Sequence, residues 1–209
     1  MPDAGVTIDT NTLVLLLLRW LHFFAGITWI GHLYFFNFVN VPFQGKIDPN
    51  TKKVVNPELL PRALWWFRWG AMVTVLSGWF YIYWKNWVAT DAGMKGPGGL
   101  MTSTWGQWIM SGALFGTIMW FNVWFIIWPA QKKIIAGIKS GQAAPPELGK
   151  RALLFSRTNT YLSVPLLFFM AGASHFPTFG FVPWILVVAV GFGVAWLAIK
   201  ISSKVGTSI

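Results

Sequence analysis

The sequence predicts an all-α, polytopic transmembrane helical bundle of about five spans, with the N-terminus outside and the C-terminus inside. Three observations carry that reading. The chain of 209 residues is 55% hydrophobic and only 11% charged, against about a quarter charged in a soluble domain. All six acidic residues fall outside the long apolar runs, where a carboxylate would be costly. The basic residues cluster in alternate loops, a topology signal.

Five runs are long enough to cross a hydrocarbon core that needs about 20 apolar residues. They are Leu13–Val41, Ala63–Val88, Trp105–Trp128, Leu153–Gly172 and Val182–Ile199. The first is long enough to require tilt or to protrude. Pro42, Pro61, Pro97 and Pro129 stand at or near the run ends and are expected to end helices, while Pro165 lies inside the fourth run and is expected to kink it. The segment "GMKGPGGL" reads as a Gly/Pro-rich loop and "GIKSGQAAPPELGKR" as a polar one. No repeat or composition break divides the chain, so residues 1–209 read as a single integral membrane domain. The N-terminal stretch "MPDAGVTIDTNT" lacks a basic n-region, so the first run is expected to stay as an uncleaved helix.

Orientation follows from the lysines and arginines. The loops 42–62 and 129–152 and the C-terminal tail together hold eleven, whereas the opposite side holds only Lys85 and Lys95. The rich side is expected to be cytoplasmic, in the bacterial inner membrane. The same distribution explains the net charge of +10 without a nucleic-acid partner. The absence of cysteine excludes disulfides, thiolate-held iron–sulfur clusters and a CxxCH attachment for c-type haem.

Chemistry concentrates in "RWLHFFAGITWIGHLYFFNF", which places Arg19, His22 and His32 in an apolar run. His22 lies nine residues past Leu13, ~14 Å along the helix and in the outer half of the membrane. His175, in "GASHFPTF", falls in the connection between the fourth and fifth runs, on the same side. Neutral imidazoles are usual haem ligands, so His22 and His175 are candidates for the two axial positions of a b-type haem. Arg19, one turn further out on the same helical face, would meet its propionates. The alternative is that each histidine only hydrogen-bonds a neighbouring helix, and that Arg19 snorkels to the interface. His32 lies ~15 Å further in on a different face, so it cannot share an iron with His22. It is the weaker candidate, expected to hydrogen-bond across helices.

Other features read as structural. Gly112 and Gly116 have the spacing that lets two helices approach. Trp65, Trp66 and Trp69 at one face, with Trp84, Trp87, Trp105 and Trp108 at the other, read as interfacial belts. Asn37, Asn122 and Asn159 are expected to bridge helices, and Arg68 and Arg157 to snorkel. No phosphate-binding glycine loop, Ser/His/Asp set or paired carboxylates are present.

Four blocks in order, "RWLHFFAGITWIGHLYFF", "LPRALWWFRWGAMVTVLSGW", "GTIMWFNVWFIIWPAQKKIIAGIKSG" and "NTYLSVPLLFFMAGASHFP", resemble the N-terminal membrane domain of bacterial cytochrome c-dependent urate oxidase. The opening "LHFFAGITWIG" is also similar, more weakly, to the first helix of the protoporphyrinogen oxidase and copper-resistance families, where a histidine at that position is associated with haem. The urate oxidase resemblance implies a C-terminal cytochrome c domain in full-length members, and further histidines where Trp65, Met110 and Thr158 stand here. It leaves His22 and His175 of that set, with His32 additional.

The expectation is therefore a small membrane redox subunit, not an enzyme on its own. It would carry a b-type haem on the periplasmic side and pass electrons to other subunits or a c-type cytochrome. The alternatives are a cofactor-free structural subunit and a urate oxidase-like enzyme using a separate cytochrome c. Because the chain lacks cysteine, single cysteines at Lys52, Lys139, Lys95 and His175 test the topology cleanly. In intact cells an impermeant thiol reagent should label the Lys95 and His175 sites and spare the other two. The reverse pattern inverts the orientation.

Overall fold

The structure is a computed structural model describing residues 9–89, 96–142 and 144–206. Among these residues every regular element is helical. Helix α1 (Thr10–Tyr34) continues through a π-helical turn (Phe35–Asn40) into α2 (Val41–Gln44). Helix α3 (Pro49–Tyr83) ends in a second π-turn (Trp84–Val88). The short α4 (Gly96–Thr102) precedes α5 (Thr104–Phe121), which passes through a third π-turn (Asn122–Ile127) into α6 (Trp128–Ser140). Helices α7 (Pro146–His175) and α8 (Phe181–Ser202) complete the chain. Three of these rods are long and apolar enough to cross a membrane: Thr10–Gln44, Thr104–Ser140 and Phe181–Ser202. The α3 and α7 rods are less apolar, because their first halves carry most of their charged residues and because they turn Thr74, Ser77, Asn159, Thr160 and Ser163 inward.

Local chemistry explains where the rods begin. Asp9 caps α1 by accepting from the Thr12 amide at 3.0 Å. Asp48 caps α3 by accepting from the Thr51 hydroxyl and the Thr51 and Asn50 amides, with Pro49 preset at the first turn. Those bonds, the hydroxyl first, hold the Asp48 carboxyl below the usual carboxylate range. Ser103 caps α5 through the Gly106 amide at 3.0 Å, and α6 stops at Gly141, whose φ of 72° only glycine adopts easily.

The prolines do not punctuate as expected. The chain stays helical through Pro42, Pro61 and Pro129, and a helix also covers Gly96–Thr102 where a loop was expected. The reason at Pro42 and Pro129 is the π-turn just before each. Its wider winding accommodates a residue that lacks N–H and crowds the carbonyl four residues back.

Each π-turn contains one buried asparagine. Asn37 Nδ2 donates to the Leu33 carbonyl (2.9 Å) and to Ser156 Oγ on α7 (2.8 Å), and Asn86 Nδ2 donates to the Ile82 carbonyl (2.8 Å). Asn122 Nδ2 donates to Asn159 Oδ1 (2.8 Å), while Asn159 Nδ2 donates back to the Met119 carbonyl (2.9 Å). The amides thus serve carbonyls at the widened turns, and Asn37, Asn122 and Asn159 bridge helices as their sequence positions suggested.

Small residues set the helix contacts. A Cβ at Gly70 would lie 3.1 Å from the Trp29 backbone nitrogen, so α1 and α3 meet backbone to backbone. At Gly112 it would collide with Met170, and at Gly116 it would lie 3.5 Å from Leu166, which is how α5 seats against α7. Gly191 of α8 lies against the Pro165 ring of α7. Trp29, Leu33, Phe67, Trp108, Met119, Val123 and Phe169 form the shared core. Trp108, expected in an interfacial belt, is fully buried there.

Replacing Asn159 with Leu removes an acceptor from Asn122 and a donor from the Met119 carbonyl. The expected loss is about 1–2 kcal/mol in detergent-micelle unfolding. Asn122→Leu/Asn159→Leu should cost less than the sum of the single changes. Strict additivity would show that the two amides are energetically independent.

Candidate functional site

The N-terminal half of α1 presents Arg19 and His22 to α3. On α3 the facing residues are Thr74, Ser77, Gly78 and Tyr81, at the i, i+3, i+4, i+7 spacing of one helical face. His22 Nδ1 lies 2.9 Å from the Thr74 carbonyl oxygen. A carbonyl has no proton to give, so Nδ1–H is the donor and the lone pair of the neutral ring sits on Nε2. Ser77 Oγ lies 3.4 Å from the same Nδ1. The ring rests over Gly78, where an added Cβ would come within 2.9 Å of His22 Cε1. One turn out, Arg19 donates to the Tyr81 hydroxyl, and its guanidinium lies 5.2 Å from the Tyr81 ring centre.

His32 behaves differently from expectation. Its Nδ1 donates to the Thr28 carbonyl at 2.7 Å, within its own helix and not across to a neighbour. The spacing of four residues makes that bond easy, since Thr28 O lies one turn back on the same face.

His175 is the last residue of α7 and is exposed. The chain after it wraps a single indole. Trp108 Nε1 donates to the Thr178 carbonyl at 3.0 Å, and the rings of Phe176 and Phe179 pack 6.0 and 4.8 Å from the Trp108 ring. Among the described residues, no hydrogen bond joins His175 to His22 or Arg19. The hydrogen bonds between α1 and α7 lie lower, at Tyr34–Ser163 (3.0 Å) and Asn37–Ser156 (2.8 Å). Twelve residues separate His22 from Tyr34 and twelve separate His175 from Ser163, along antiparallel rods. Each histidine therefore stands ~18 Å above that bond, at a common level.

Arg19 and His22 are thus assembled on one α1–α3 face, while His175 shares their level on α7. Among the described residues no group of three or more His, Asp or Glu forms a multi-ligand metal centre. Trp65 faces outward, and the Thr158 hydroxyl bonds its own helix at the Leu154 carbonyl (3.1 Å). Sequence reasoning missed the α3 half of the site. The helical spacing of Thr74, Ser77, Gly78 and Tyr81 was the signal that could have found it.

Comparison with known proteins bears on the second half of the chain. Residues 100–202 match the urate oxidase N-terminal family. The match takes in α5 to α8, including His175 and the Trp108 clamp, and leaves Arg19 and His22 outside it. No curated protein and no solved structure matches the chain significantly.

The Gly78 contact gives a direct test. Gly78→Ala should push the His22 ring off the Thr74 carbonyl and change its tautomer balance, read as a shift of the imidazole nitrogen-15 resonances. Gly31→Ala is the control, since nothing lies within 4 Å of a Cβ there. Unchanged His22 resonances in folded Gly78→Ala would remove the glycine from the site.

Proposed function

We propose that the protein is a small redox subunit of the bacterial inner membrane, crossing it five times with its lysine-rich loops inside. In this reading His22 holds a b-type haem near the periplasmic face. The observation that carries it is the state of the His22 ring: Nδ1–H tied to the Thr74 carbonyl, and the Nε2 lone pair without a hydrogen-bond partner among the described residues. Imidazoles that ligate metals are held this way, with the second nitrogen fixing tautomer and ring orientation. The residues present fit the group: a cation stands one turn further out, and His175 at the same level is the candidate second ligand.

Bound haem supplies a one-electron couple. The chain's own contributions are distinct. The Thr74 carbonyl orients the His22 ring and fixes its tautomer. Gly78 leaves room for the ring to approach α3 closely. Tyr81 holds the Arg19 guanidinium, whose positive charge favours the state with one more electron and meets carboxylates at that depth. His175, exposed and without a hydrogen-bond partner among the described residues, offers an imidazole from α7.

Purified protein should show a b-type α-band in a dithionite-reduced minus oxidised spectrum. His22→Ala and His175→Ala should each abolish the low-spin spectrum. Arg19→Gln should keep haem and lower its midpoint potential, because a nearby cation that stabilised the reduced form is gone. A flat spectrum from folded protein expressed with ample haem sinks the proposal. The family match favours a second reading, an oxidase that passes electrons from urate to a separate cytochrome c. Urate-dependent reduction of added cytochrome c would decide for it.

A further inference from the structure

We infer that the seam between α3 and α6, beside Arg68 at the lysine-rich end of the bundle, binds the phosphate of an anionic phospholipid. Arg68 is its main donor and Lys132 supplies a second charge. The inference is independent of the haem reading, because it concerns the opposite half of the molecule.

The first observation is a guanidinium without an anion. Arg68 lies five residues inside the apolar run that begins at Ala63. Its Nε is buried with no hydrogen-bond partner. The carboxylates among the described residues are used close to home. Asp9 and Asp48 cap their own helices, Glu58 pairs with Arg62 at 2.8 Å, and Glu147 pairs with Lys150 at 3.0 Å. Among the described residues, therefore, no acid pairs with Arg68.

The second observation is the shape around it. The guanidinium carbon lies 3.9 Å from the Trp128 ring centre and 5.9 Å from that of Trp124. Trp124 in turn donates its Nε1–H to the Arg68 carbonyl at 3.1 Å, and Trp69 packs edge-on against Trp124 at 5.4 Å. An indole face holds a guanidinium without using up its N–H hydrogen bonds. Lys132 follows Trp128 by one turn on the same face of α6 and is exposed. Trp65 packs beside Trp69, and the two keep 46% and 41% of their surfaces uncovered.

A phosphate diester meets all of these demands. It accepts two parallel N–H bonds from Arg68 and takes the second charge from Lys132. Its acyl chains continue over the uncovered indoles, where a soluble anion would leave that surface bare. A net negative headgroup is favoured over a zwitterionic one, because two unopposed cations face it.

The test uses the full chain in detergent, with native mass spectrometry of bound phosphatidylglycerol and phosphatidylcholine of matched acyl chains. The wild-type protein should prefer phosphatidylglycerol. Arg68→Gln and Lys132→Gln should each weaken that lipid about fivefold and leave phosphatidylcholine unchanged. Lys132 lies on an exposed helical face, so its variant keeps the test open if Arg68→Gln fails to fold. Equal phosphatidylglycerol affinity in wild type and Lys132→Gln overturns the site. Displacement of the lipid by inorganic phosphate alone overturns the lipid assignment in favour of a soluble anion.

Discussion

A backbone carbonyl released inside hydrocarbon finds no water, and that constraint organises much of this molecule. Three rods widen into π-turns, and each widening frees a carbonyl or strains its bond. The buried asparagines answer the demand locally at Leu33 and Ile82, and across helices at Met119. Because the Asn122–Asn159 exchange and the Asn37–Ser156 bond cross between rods, repairing the backbone also registers the helices against one another. Chain continuity and bundle geometry thus share the same few amide groups.

Glycine supplies the complementary constraint. Where polar side chains set register, the missing Cβ atoms at Gly70, Gly112 and Gly191 set distance. The α1–α3 approach at Gly70 is what brings the Thr74 carbonyl within reach of His22 two turns further along α1. A wider interface would leave that imidazole without its tether. The site chemistry is therefore downstream of a packing decision made at a residue that touches neither histidine.

Much of this was legible in the residues. Apolar runs and the acid-free spans pointed to the helical class. What could not be read falls into physical kinds. Proline rules assume an α-helical turn, so they fail at Pro42 and Pro129, where the chain changes winding instead of stopping. Trp108 carries the same composition signal as its interfacial neighbours. Only the tertiary fold shows that its N–H is taken by the Thr178 carbonyl and its ring enclosed by phenylalanines. His32 bonds within its own helix because Thr28 happens to lie one turn back, a choice settled by side-chain geometry and not by depth. The α3 face opposite His22 consists of small and polar residues that look unremarkable singly.

The wrapping of residues 176–179 around Trp108 has a consequence for the histidine just before it. An exposed side chain at a helix end ordinarily sits on a fraying backbone, and a ligand that captures it must also quench that motion. Here the chain beyond His175 is anchored by an indole hydrogen bond and two aromatic contacts. What remains free are the two side-chain torsions of an imidazole. Such an arrangement is a short tether on a rigid post. It can swing to meet a partner at the cost of rotamer entropy alone, without reordering the loop that carries it.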